Sequence, residues 1–177
     1  HLVNSIVTDS LIQKFYSEYS PQYNMKYIMR PIVNTSSDEF IQLQKDTIET
    51  AYKALEQGIE FGKVAYRYSQ DKTTNKKGGD LGWIILESMG DHIVRTVMDT
   101  LSNNSYSKPF RGYGGYYILY KGEQRDVKTP PIEEIRSQIW KSLYRSRRPY
   151  VEDILDQKFD ELSKKLNYKL LEDNIEE

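Results

Sequence analysis

Reactive side chains are scarce in this sequence. It has no cysteine and two histidines, His1 and His92, so a thiolate nucleophile, a disulfide framework, cysteine-ligated zinc and a multi-histidine metal site are excluded. Aspartates and glutamates total 26, yet no pair is singled out by its context for two-carboxylate hydrolysis. One stretch carries a signature, Tyr68-Ser-Gln-Asp-Lys-Thr-Thr-Asn-Lys-Lys-Gly-Gly-Asp-Leu-Gly-Trp83. Ser69 to Lys77 holds no apolar residue and must lie at the surface. Gly78, Gly79 and Gly82 permit backbone angles closed to other residues, and Leu81 and Trp83 then return to the core. Read on its own, Asp71 is a loop carboxylate that caps backbone amides. The glycines do not precede a helix in the arrangement that cradles phosphate, so nucleotide binding is rejected.

The elements that position this stretch can be read in order. Asp9 or Ser10 caps a short helix carrying Leu11, Ile12, Phe15, Tyr16 and Tyr19, which Pro21 ends. Met25 to Val33 is a strand with Tyr27, Met29 and Pro31 on one side and Ile28, Arg30 and Ile32 on the other. Pro31 cannot donate a ladder hydrogen bond, so the strand is an edge or ends there. Ser36-Ser-Asp-Glu39 is a capping box, with Ser36 as the cap, opening a long helix that Gly58 stops. A second helix from near Glu60 presents Phe61, Val64, Ala65 and Tyr68 inward. After a short strand at Trp83 to Ile85, a helix runs from Met89 to Leu101, and two strands, Ser107 to Gly112 and Gly115 to Lys121, form a tight hairpin. Past Thr129-Pro-Pro131 the pattern is helical, with stripes Ile132, Ile135, Ile139, Leu143 and Val151, Leu155, Phe159, Leu162, Leu166 on either side of Pro149, which starts a new helix or kinks a continuous one. These stripes need a partner, and the N-terminal helix is the expected one.

Phe61-Gly-Lys-Val-Ala-Tyr-Arg-Tyr-Ser69, then Gln-Asp, a polar loop and Gly-Gly-Asp-Leu-Gly-Trp83, resembles the parvulin family of peptidyl-prolyl cis-trans isomerases, in particular the exported bacterial foldases. Met89, Ser107-Lys-Pro109 and Gly114-Gly-Tyr-Tyr-Ile-Leu-Tyr120 extend the likeness over roughly Met25 to Gly122. The resemblance implies an α+β fold, a four-stranded antiparallel sheet covered by helices at residues 25–124, flanked by helical segments at 1–24 and 125–177. It implies no cofactor and no metal. It also implies Leu81, Met89 and Ile93 as a proline pocket, or as plain core residues on the bland reading, with Trp83 as a further substrate contact and Asp71 at the central polar position.

Two departures from the family pattern matter. Parvulins usually carry two histidines under the site. The resemblance puts Arg30 at the first-strand position and Tyr117 at the last-strand position, while Gly112 or Tyr113 replaces the threonine or serine often found ahead of the final strand. Arginine beside Asp71 would form a salt bridge rather than act as a neutral donor and acceptor. Rotating a prolyl amide crosses a barrier of ~18–20 kcal/mol, lowered by an apolar seat, exclusion of water and oriented dipoles. The expectation is therefore a retained fold with weakened or lost isomerase activity, the catalytic set being Asp71, Tyr117 and Arg30.

Composition is consistent with this reading. The 177 residues are 38% hydrophobic and 29% charged with a formal net charge of -1, which offers no field for nucleic acid or an anionic membrane. No apolar run approaches the ~20 residues that span a bilayer, and no signal peptide is recognisable at the N-terminus. The absence of cysteine is compatible with an oxidising envelope compartment. His92 is expected at or near the surface, and Lys141, Arg145, Arg147 and Arg148 as a solvated basic face. Three functional readings stand: a folding factor that holds unfolded or proline-containing polypeptide, exported and in peripheral association with the envelope; an active isomerase using Asp71 and Tyr117; and a docking module of a larger envelope complex, its 15 tyrosines acting as adhesive surface.

Overall fold

A computed structural model describes residues 6–33 and 35–165; His1 and Leu166 lie outside them. Helix α1 (Asp9–Ser17) starts from Thr8, whose hydroxyl accepts the Leu11 amide. Strand β1 (Gln22–Pro31) is followed by α2 (Asp38–Glu56), capped by Ser37 rather than Ser36. Ser36 instead accepts the Val33 amide at 3.1 Å. Then come α3 (Phe61–Tyr68), β2 (Asp80–Ile84), α4 (His92–Thr100), β3 (Ser105–Tyr106), β4 (Phe110–Gly112), β5 (Gly115–Arg125) and α5 (Ile132–Lys165), with short 3-10 turns at Asn75–Lys77 and Leu86–Ser88.

The sheet has five antiparallel strands rather than the four expected, in the order β2-β1-β5-β3 with β4 also on β5. The extra strand lies ahead of the anticipated Ser107–Gly112, which starts only after Pro109, a residue with no amide to donate. The two pair separately, Ser105–Tyr106 with Lys121 and Tyr120 and Phe110–Gly112 with Tyr117 to Gly115. Strand β1 is central, paired on both sides, and Pro31 ends it.

Side-chain alternation divides the sheet into two faces. Ile28 and Ile118 pack beneath α2 and α3 against Ile48, Ala51, Leu55, Val64 and Ala65. On the other face Met25, Tyr117 and Leu119 pack against Val94 and Met98 of α4. A third core joins α1 to α5, where Ile12 and Phe15 meet Ile135, Ile139 and Leu143, as the unpaired stripes required. Helix α5 runs unbroken through Pro149. Beyond it Val151 still packs against that core, but among the described residues the rest of the second stripe is open, Leu155 being 44% and Phe159 66% exposed, against the expectation that it is buried. No helix among the described residues is long and apolar enough to cross a membrane.

Candidate active site

The cross-strand pairs Tyr27–Leu119 and Met29–Tyr117 put four side chains on one face, and α4 closes over them. Between sheet and helix lies a cavity of 250 Å³ lined by Met25, Tyr27, Met29, Leu81, Met89, Gly90, Asp91, Val94, Tyr117 and Leu119. That volume is below the ~300–1,000 Å³ of drug-sized sites, so it fits one apolar side chain or ring.

Of the residues expected at the site, Leu81, Met89 and Tyr117 line the cavity and Asp71, Ile93, Trp83 and Arg30 do not. Ile93 is displaced because the helix starts at His92, not Met89. Met89 itself is extended, with φ -73 and ψ 120, after the Leu86–Ser88 turn. The four-residue spacing of Met89 and Ile93 therefore does not put them on one helical face, and Val94, 1% exposed, forms the wall. Trp83 does not return to the core: it is 36% exposed and its ring lies 4.4 Å from the Arg125 guanidinium carbon.

Arg30 points to the opposite face of the sheet. Its Nε donates to Gln44 Oε1 at 2.7 Å and its guanidinium to the Tyr68 carbonyl at 3.0 Å. Burial pulls its pKa below the ordinary arginine value. No salt bridge joins it to Asp71; the β1 residue that reaches Asp71 is Tyr27, three residues earlier on the other face. Alternation along β1 already separates Tyr27 from Arg30, so the strand pattern carried this information and the position-by-position likeness obscured it.

Asp71 is placed by a loop laced onto β1, the Met29 amide donating to Ser69 Oγ at 3.1 Å and the Gln70 amide to the Met29 carbonyl at 2.9 Å. Its carboxylate accepts the Tyr27 hydroxyl, the Thr74 hydroxyl at 2.5 Å, and the Thr73 amide and hydroxyl at 3.0 and 2.9 Å. Asp71 thus caps its own loop and also acts on the cavity through Tyr27. Partial burial opposes ionisation, but the donors from Thr74, Tyr27 and Thr73 outweigh it, and the pKa falls below the usual aspartate value. Since the folded value lies below the unfolded one, near ~3.9, the stabilisation is complete above that pH and is lost as pH falls through the folded value. Thermal denaturation of wild type and Asp71→Asn should therefore differ most at about pH 6 and converge below about pH 4. A gap independent of pH would show that the charge of Asp71 is immaterial.

Tyr27 and Tyr117 approach with ring centroids 6.3 Å apart, and Phe110 stacks on Tyr117 at 5.8 Å. Gly112 sits hard against this pair: a Cβ there would fall 2.6 Å from Asp91 Oδ2 and 2.8 Å from the Tyr117 ring. Tyr117 thus occupies space that a hydroxyl side chain at Gly112 would need. Asp91, 3% exposed, caps α4 through the Ile93 amide and accepts the Tyr113 amide at 2.6 Å. It ties the β4–β5 turn to the cavity rim. Sequence reasoning missed Tyr27 and Asp91; an aspartate one residue ahead of a helix is the signal that finds the latter.

Comparison with known proteins follows this geometry. The foldase protein PrsA of Caldanaerobacter subterraneus is 29% identical over 169 residues, covering 96% of this chain and 50% of that protein. The periplasmic chaperone PpiD of Haemophilus influenzae is 33% identical over 123 residues, 67% of this chain and 19% of that protein. This chain therefore spans half, or less, of the length of these relatives. The crystal structure of peptidylprolyl isomerase (PrsA) from Bacillus anthracis superposes with a TM-score of 0.57 at 24% identity, covering 96% of this chain and 69% of that one, and shares its fold. The family model for the rotamase PPIC-type PPIASE domain matches residues 28–123. With most of the sheet, most of the cavity lining and the whole Asp71 loop within that match, the chain belongs to the PpiC-type, or parvulin, peptidyl-prolyl isomerase family.

Proposed function

We propose that residues 25–124 form the parvulin-type domain of an exported folding factor, carried between helical segments at 1–24 and 125–177, that holds extended or proline-containing polypeptide while its isomerase activity is weakened or lost. The observation that carries this reading is the cavity itself. Met25, Met29, Leu81, Met89 and Leu119 offer a prolyl ring an apolar seat, and no histidine is among the lining residues. Methionine walls adapt to varied side chains at little strain, which suits low sequence specificity.

Weak catalysis follows from how the polar groups are committed. A twisted prolyl amide is stabilised by preorganised donors and dipoles aimed at it rather than at other partners. Here the Tyr27 hydroxyl donates to Asp71, and the Asp71 carboxylate is already saturated by the two threonines. A phenol also exchanges its proton far less readily near neutral pH than an imidazole does. The extracytoplasmic setting is supported by the name of the periplasmic relative.

The discriminating experiment combines peptide binding with a protease-coupled turnover assay on a proline-containing tetrapeptide. The expected result is saturable binding, abolished by Leu81→Asp, with turnover well below that of ordinary parvulins. Ordinary turnover would favour the second reading, an active isomerase, for which the Tyr27–Asp71 hydrogen bond next to Tyr117 is the specific support. Asp71→Ala would then lower kcat. Absence of binding would sink both.

A further inference from the structure

The segment Ile85–Asp91 belongs to two cores at once. Ile85 packs into the α1–α5 core, whereas Leu86 and Met89 pack into the core around the cavity. Between them Glu87 is 2% exposed and faces cations from three helices: Lys14 of α1 at 3.3 Å, Arg95 of α4 at 3.5 Å and Arg147 of α5, its nearest partner. Arg147 also reaches the Glu87 carbonyl, at 3.4 Å. It is no solvated basic residue, since 13% of its side chain is exposed. Arg95 in turn donates to the Met89 carbonyl at 2.8 Å, and Met89 is a wall of the cavity.

The contacts therefore form one continuous chain, from α5 through Arg147, Glu87 and Arg95 to the backbone that aims Met89. A buried ion cluster is weak evidence of stabilisation, because removing the charges from water offsets much of their attraction. Its better-attested use is to fix one arrangement among several. We infer that Glu87, Arg95 and Arg147 are positioning residues that set the Met89 wall, so that docking of the helical segments onto the parvulin domain governs how tightly the cavity holds a prolyl residue. This deepens the binding reading above and rests on it.

The test uses the whole chain with isotope-labelled methionine methyls, of which there are four. Arg147→Met removes the charge, keeps the aliphatic stem and adds a fifth methionine methyl, identified as the resonance absent from the wild type. The Met89 methyl resonance should shift and broaden, while that of Met29, on the sheet side of the cavity, stays in place. Affinity for a fluorescent Ala-Ala-Pro-Phe peptide should fall about tenfold, and Arg147→Lys should recover part of both effects. If Arg147→Met does not fold, Lys14→Met at the exposed end of the cluster should move Met89 in the same direction by less. A Met89 resonance unmoved in the variant, whatever happens to Tm, would show that the cluster only docks the helices. Failure of the wild-type chain to bind the peptide would instead sink the binding reading and leave the methyl resonance to decide this one.

Discussion

Replacing Gly79 by alanine is expected to remove roughly 4 kcal/mol of stability, the sum of left-handed backbone strain and overpacking at one position, out of the ~5–15 kcal/mol that holds a domain folded. Gly79 has φ +80, and a Cβ would lie 2.3 Å from the Tyr27 carbonyl oxygen and 3.1 Å from Ala65 Cβ. Neither neighbour can yield. The Tyr27 carbonyl belongs to the central strand, whose Tyr27 amide donates to the Gly79 carbonyl at 3.0 Å, and Ala65 is fully buried. Gly82 provides the control. Its φ is +71 but no atom lies within 4 Å of its Cβ position, so Gly82→Ala should lose only the ~1–2 kcal/mol of backbone strain. Urea unfolding midpoints of the two variants measure the difference. Equal losses would mean that close approach to β1 is not what Gly79 provides.

Glu87→Ala should be nearly as damaging, by about 3–5 kcal/mol, because it leaves Arg147 and Arg95 partly buried without a counter-charge. Burial already pulls the Arg147 pKa down while Glu87 pulls it back up, so the carboxylate is what keeps that guanidinium comfortable. The damage should also be uneven. The chain has two tryptophans, Trp83 on β2 and Trp140 in the α1–α5 core, so Trp83→Phe and Trp140→Phe backgrounds report the two units separately. In Glu87→Ala the Trp140 signal should change at lower urea than the Trp83 signal. Coincident transitions would show that Glu87 is no more than one contact among many.

What the sequence made legible follows from the kind of signal involved. The elements were readable because their causes are local: Phe61, Val64, Ala65 and Tyr68 recur at helical spacing, and Gly58 at φ +83 follows α2 as a left-handed terminator. Leu81, Met89 and Tyr117 could be brought to the cavity wall from sequence because they lie within the motif or on a strand of fixed alternation. Ile93, carried over by the resemblance, misses the cavity because a 3-10 turn, which has no strong sequence signature, leaves Met89 extended and delays the helix to His92. Arg30 was misplaced because transfer by motif ignored a period of two that the strand itself declared. The Glu87 cluster was invisible for another reason. Its partners lie 8 to 73 positions away along the chain, and no local pattern distinguishes an arginine that folds inward from one that stays in water.

Strand β2 stands at the end of the sheet beside the cavity, and its shape bears on how another chain could pair with it. A straight terminal strand is a template onto which an unfolded chain can zip residue by residue, the first step toward a fibril. Gly82 interrupts that template midway, its φ of +71 taking it out of extended geometry while its amide is held by Asp80 Oδ1 at 2.8 Å. An extended chain meeting this rim would therefore find only brief footholds, a limit set by the backbone rather than by any side chain.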